Sequence, residues 1–142
     1  MKSKPQTRPA RRNNSADCPE PDATVPPYFY VCGSAKFIPD PFYVYLVLVK
    51  PTGERECAGP YEIRENPWCV QFDEDVAEGT YNLYVHVLSS TEGVNCKTVD
   101  GKSEEVTFIS NLTVKIGASD PCLRHRERIV KDKGASTKNV KL

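Results

Sequence analysis

Two histidines, six cysteines and a run of three acidic residues are the side chains through which this 142-residue chain could do chemistry. His86 and His125 are its only imidazoles, and so its ordinary candidates for a general base near neutral pH. His86 falls on the outward phase of an alternating strand, where an exposed side chain is expected, and His125 falls in a basic terminal stretch. Neither has a serine elbow or an activated thiol beside it in the sequence. The reading is therefore of a protein that is not an enzyme, with a small secreted hydrolase as an alternative. Asp73, Glu74 and Asp75, joined by Asp40 or Asp100 if loops converge, could offer oxygen ligands to calcium, which takes roughly six to eight of them. EF-hand spacing is absent and the run reads as a solvated acidic turn, so no metal and no cofactor is expected.

Cys18, Cys32, Cys57, Cys69, Cys96 and Cys122 form an even set that brackets the apolar segments. In a chain this small that pattern predicts disulfides formed in an oxidising compartment, and no Cys-x-x-Cys or His spacing points to zinc. Six cysteines allow many connectivities. Cys57 with Cys69 would close a short hairpin-like segment, and Cys18 with Cys122 would tie the ends of the folded region. The expected localisation is secreted or extracellular. Met1 to Pro27 lacks the apolar run of a secretory leader, so the sequence reads either as a mature form with an added methionine, the favoured reading, or as a chain of a compartment that keeps its cysteines reduced. Asn111-Leu112-Thr113 and Asn13-Asn14-Ser15 fit the glycosylation triplet of a glycoprotein, and Asn111 sits where the strand phase slips, a place that exposes an amide.

The formal net charge of zero conceals three zones. Residues 1–17 carry five Lys/Arg against Asp17, residues 18–122 seven against sixteen Asp/Glu, and residues 123–142 seven against two, which gives +4, −9 and +5. An acidic domain over 18–122 thus lies between basic tails at 1–17 and 123–142, both expected to be disordered for want of large apolar residues. The tails could meet an anionic surface through residues such as Arg8, Arg11 and Arg12. Without interleaved aromatics, nucleic acid is not an expected partner. No segment approaches the roughly 20 apolar residues of a membrane helix.

Between the tails the punctuation is that of short strands. Tyr28 to Ile38 predicts a first strand, and the continuous run Phe42 to Val49 predicts a central strand covered on both faces. Pro51-Thr52-Gly53-Glu54 supplies a turn, Glu56 to Ile63 an edge strand interrupted at Gly59-Pro60, and Trp68 to Phe72 a short strand. From Thr80 to Leu88 the residues Tyr81, Leu83, Val85 and Val87 alternate with Asn82, Tyr84 and His86. Ser89 to Lys102 reads as a loop pinned by Cys96. Glu105 to Ile116 changes phase near Ser110-Asn111, which predicts a bulge or two strands end to end. About six or seven strands and no convincing amphipathic helix describe an all-β, antiparallel sandwich, with a barrel as the alternative.

The corner Asp75-Val76-Ala77-Glu78-Gly79-Thr80-Tyr81-Asn82-Leu83 resembles the one that leads into a late strand of immunoglobulin-like and fibronectin-like sandwiches. The resemblance implies that the Tyr81 hydroxyl bonds back to backbone a few residues upstream. Leu83 stands where an antibody-type domain has its second core cysteine, so that family's inter-sheet disulfide is not implied. Glu78 to Val85 followed by Cys96, with Cys32-Gly33 earlier, is also similar to the ML (MD-2-related lipid-recognition) family. That likeness implies a lipid-binding carrier with an apolar cavity between its sheets.

Tyr28, Phe29, Tyr30, Phe42, Tyr43, Tyr45, Tyr61 and Tyr84 are more aromatic surface than one small core easily hides. A tyrosine-rich face offers rigid contact area with polar tips. Tyr84, out of phase with the core of its strand, leads the candidates for protein binding, with Tyr45 and His86. The expectation is a disulfide-stapled, immunoglobulin-like β-sandwich that recognises a protein partner or a small apolar ligand.

Overall fold

A computed structural model describes residues 14–35, 38–124, 126–127 and 140–141. The chain is all-β, with two sheets and three disulfides, and the larger sheet curls like half a barrel. Its strands are β1 (Asn14–Cys18), β2 (Thr24–Val25), β3 (Tyr30–Ala35), β4 (Phe42–Val49), β5 (Arg55–Ile63), β6 (Trp68–Gln71), β7 (Gly79–Leu88), β8 (Glu105–Val114) and β9 (Val140–Lys141). One sheet has the order β1-β3-β6 and the other β2-β8-β7-β4-β5-β9. Pairing is antiparallel except between β2 and β8, which run parallel.

Alternation decides which side chains meet between the sheets. Phe42, Val44, Leu46 and Leu48 of β4 point to the same side as Tyr81, Leu83, Val85 and Val87 of β7, and all are buried. Val31, Trp68 and Val70 face them from the smaller sheet, with Phe29 and Phe72 stacked at 5.5 Å beside them. The other side of β4 carries Tyr45 and Val47, also buried, so β4 is covered on both faces as its continuous apolar run predicts.

Two irregularities bend the larger sheet. In β8 the register against β7 shifts between Tyr81 and Leu83, which leaves Ser110 and Asn111 as the predicted bulge within one continuous strand. In β5 a shift opposite Tyr45 falls at Gly59-Pro60, where Gly59 takes a φ of +117° and a Cβ would lie 2.7 Å from the Val44 carbonyl oxygen. That bulge lets β5 run for nine residues, longer than the short edge strand expected, and β9 pairs beyond it at Tyr61 and Glu62.

The disulfides are Cys18–Cys122, Cys32–Cys69 and Cys57–Cys96. The first is the expected tie between the ends. The proposed Cys57–Cys69 bond is not formed, because β3 and β6 pair with Cys32 directly opposite Cys69, while Cys57 on β5 faces the β7–β8 connection. β1 begins at Asn14, inside the stretch read as a tail, and gains its pairing from β3. The stretch read as the other tail is also partly ordered, with residues 123–124 and 126–127 in a helical turn and β9 paired to β5, while residues 1–13 and the rest of 123–142, His125 among them, lie outside the described residues.

Candidate functional site

The outward positions of β4, β7, β8 and β5 form the second face of the larger sheet, where Tyr45, Tyr84 and His86 come together. Tyr45 is paired with His86 across β4 and β7, and Tyr84 lies between Val47 of β4 and Phe108 of β8. The β7–β8 connection folds back over one half of this face. It is held by Cys57–Cys96 and by a single 3₁₀ turn, Val99–Gly101, and its Val94 and Val99 pack on Tyr45 and Leu88.

That cover corrects the expectation of an exposed histidine. His86 is only 4% accessible, although its strand phase does point away from the main core. Tyr45 is likewise buried, its hydroxyl donating to the Val94 carbonyl at 3.3 Å, and burial raises its pKa. Tyr45 therefore props the loop from beneath. Tyr84 remains half-buried at the edge of the cover, its ring tilted against Phe108 at 5.1 Å and nearly parallel to His86 at 6.2 Å.

Beyond the loop the face is open. Phe108 is 51% and Val106 40% accessible, and a pocket of about 530 Å³ is lined by Val47, Val49, Arg55, Tyr84, His86, Asp100 and Val106 among others. At its rim Arg55 donates from Nη1 to Asp100 Oδ2 at 2.7 Å and from Nη2 to Asp100 Oδ1 at 3.0 Å and the Cys96 carbonyl at 3.2 Å. The arginine bond holds the Asp100 carboxyl below the usual carboxylate range.

Ser103, His86 and Asp100 stand in a row that invites comparison with a hydrolytic relay. His86 Nδ1 lies 2.6 Å from Ser103 Oγ, and His86 Nε2 lies 3.6 Å from Asp100 Oδ1. The serine hydroxyl also donates to the Val99 carbonyl at 2.6 Å. With its one proton spent there, Ser103 accepts from His86 Nδ1–H, which fixes the imidazole tautomer with a bare Nε2. The serine is therefore not being deprotonated by the histidine, and the basic nitrogen faces a carboxylate instead of a nucleophile. Nε2 is buried and makes no hydrogen bond. Burial lowers the His86 pKa from the ordinary 6.5, the Asp100 charge opposing that shift and Arg55 adding to it.

The other expected sites are scattered. The acidic run braces aromatic side chains: Tyr61 donates to Asp73 Oδ1 at 2.9 Å and to the Gln71 carbonyl at 2.6 Å, and Tyr28 donates to Asp75. Asp100 lies with Arg55 and does not join them, and among the described residues no three His, Cys, Asp or Glu are placed to hold a metal. Asn111 is exposed with a φ of +56°, its backbone N–H donating to Asn82 Oδ1 at 3.2 Å. Asn13 of the second triplet lies outside the described residues. Tyr81 donates to the Ala77 carbonyl at 2.7 Å, the upstream backbone bond expected of that corner.

Sequence reasoning missed Arg55, Asp100, Ser103, Val106 and Phe108 as members of one face. For Val106 and Phe108 the signal existed: carrying the core phase back from Leu112 and Val114 through the Ser110-Asn111 bulge assigns Ile109 to the core and turns Phe108 outward. Set against family models, curated proteins and solved structures, the chain finds no match.

Proposed function

We propose that this chain is a secreted, disulfide-stapled β-domain that recognises a protein partner without catalysing a reaction, through the open half of the outer face of its six-stranded sheet. The observation that carries the reading is the exposure of Phe108 and Val106 beside Tyr84 on a face that is otherwise closed by a disulfide-held loop. Contiguous apolar side chains at the rim of a pocket mark recognition surfaces, and their aromatic members carry much of the binding energy.

Three disulfides support an oxidising compartment, and among the described residues no helix is long and apolar enough to cross a membrane. Packing supports a protein partner over a lipid carried between the sheets, since Phe29, Phe42, Trp68, Phe72, Tyr81 and Leu83 pack together there and the pocket opens on the opposite side. The proton arrangement at Ser103 and His86 supports recognition over hydrolysis. An immunoglobulin-like ancestry fits the Tyr81 corner and is part of this proposal.

A photoreactive benzoylphenylalanine at position 108, with the same group at exposed Lys115 as control, tests the surface in extracellular fluid from the source tissue. The expected result is a discrete adduct from position 108 alone, competed by unlabelled protein and not by Phe108→Asp. Equal adduct patterns from both positions would sink the reading.

A further inference from the structure

Hydrogen-bonding capacity at the His86 end of the pocket is unbalanced. His86 Nε2 is buried without a hydrogen bond, and Asp100 Oδ1 faces it across 3.6 Å. Both atoms present lone pairs. Arg55, the cation at the rim, commits Nη1 and Nη2 to Asp100 and the Cys96 carbonyl. Since His86 Nδ1 already holds the proton that bonds Ser103, the ring cannot supply a donor to its own neighbour while neutral.

A buried acceptor left unpaired is costly, so the complementary group is one that brings a donor. A single N–H at roughly 3 Å from each atom spans the gap between them. Around that point the walls are Val47, Val49, Val106 and the Tyr84 ring, which fit a flat apolar body. A phenol would bring its own oxygen lone pairs against two acceptors, and an ammonium would meet the Arg55 charge. Indole has a donor and no acceptor. The pocket, at about 530 Å³, has both His86 and Asp100 in its lining and holds the ring together with flanking backbone.

We propose that this pocket receives the indole ring of a tryptophan on a protein partner, its N–H shared between His86 Nε2 and Asp100 Oδ1. The proposal rests on the outer face being a partner-binding surface, and it names the anchor. Tryptophan is among the residues most enriched at the energetic centres of interfaces, where a desolvated ring and one satisfied polar atom act together.

The test titrates 3-methylindole into the full chain carrying ¹⁵N-labelled histidine and follows the His86 ring nitrogens. Saturable movement of the Nε2 resonance is expected, with 1,3-dimethylindole, which lacks the N–H, binding at least about tenfold more weakly, as loss of one buried hydrogen bond implies. A weaker response to p-cresol is also expected. His86→Phe should abolish the preference between the two indoles. Should that buried substitution fail to fold, Asp100→Ala at an exposed side chain should narrow the preference several-fold. Equal binding of the two indoles overturns the proposal, as does tighter binding of p-cresol. So does a motionless Nε2 signal at saturation, which is the outcome if water alone occupies the gap. Position-specific crosslinking at 108 combined with no indole preference breaks this proposal and leaves the surface standing, whereas loss of that crosslinking breaks the surface itself.

Discussion

On the three-stranded sheet the positions that point away from the core include Tyr30, Cys32, Cys69 and Gln71; on the six-stranded sheet they include Tyr45, Val47, Tyr84, His86, Val106 and Phe108. Both sets follow from the same alternation, but the first is sealed covalently. Cys18, Cys32, Cys69 and Cys122 form a buried cluster on the smaller sheet, against which Tyr30 packs, and the Arg126 guanidinium lies 5.0 Å from the Tyr30 ring centroid. A turn after Cys122 closes that side, the Arg126 N–H bonding to the Cys122 carbonyl at 2.9 Å. The larger sheet has one disulfide on its outer face, and the cover it anchors stops short of Val106 and Phe108. Covering the cysteines of one face yields stability and leaves little apolar strand surface to recognise; partial closure of the other leaves rigid apolar side chains in water, where burying them against a partner is favourable.

The largest effect should come from unsealing the closed face. Cys18–Cys122 spans 104 residues and Cys57–Cys96 spans 39. On the chain-entropy account, replacing the first pair by alanine should cost about 4 to 5 kcal/mol and replacing the second about 4 kcal/mol. Denaturant unfolding under non-reducing conditions measures both. The two should also differ in kind, since loss of Cys57–Cys96 should raise hydrogen exchange across residues 89–104 and loss of Cys18–Cys122 should not do so selectively. A greater cost at Cys57–Cys96 would reverse the assignment of stability to the sealed face.

Smaller effects separate side chains on the two sides of the larger sheet. Tyr81 points inward and its hydroxyl completes a backbone bond, so Tyr81→Phe should destabilise by about 1 kcal/mol. Phe108 points outward and is half exposed, so Phe108→Ser should change stability by no more than about 0.5 kcal/mol while failing, as unlabelled competitor, to suppress the adduct formed from position 108. Thermal melts of the two variants, run beside the binding assay, sharpen the distinction between a residue that holds the fold and one that serves the surface. A large loss of stability in Phe108→Ser would mean that this ring belongs to the core.

How far the sequence reveals these features depends on where each residue's partners lie. The alternation of Tyr81, Leu83, Val85 and Val87 is legible because a strand with one buried face imposes a period of two on its own residues. The bulge at Ser110-Asn111 is legible as a break in that period, and the corner at Tyr81 as a local spacing. Burial of His86 is not legible, because its cover is a polar loop whose own sequence reads as solvated and which is drawn down by Cys96. The pairing of Cys57 with Cys96 depends on strand order, a non-local property that adjacent cysteines along the chain misrepresent. β1 is hidden for the same reason: its residues resemble a tail until β3 offers an unpaired edge and Cys122 a bond.

Acid exposes the last difference between the two faces. The four cysteines that seal the smaller sheet are disulfide-bonded and do not titrate, whereas His86 beneath the partial cover does. Burial holds its folded pKa below 6.5, so the unfolded chain takes up the proton first as pH falls. Stability contributed by the neutral ring is therefore fully present above about 6.5 and is lost progressively as pH drops toward the folded value. The charges that face it modify this slope, Asp100 from the 3₁₀ turn attracting the imidazolium and Arg55 from β5 repelling it. Asp100 titrates in a separate window: its pKa is depressed below 3.8, so its contribution is lost only at lower pH still. The unfolding midpoint of the protein should fall measurably between pH 7 and pH 5, and His86→Phe should flatten the curve there without altering the strongly acidic limb. If that variant retains the slope, another group is taking up the proton, and the buried imidazole is not what makes the open face the pH-sensitive one.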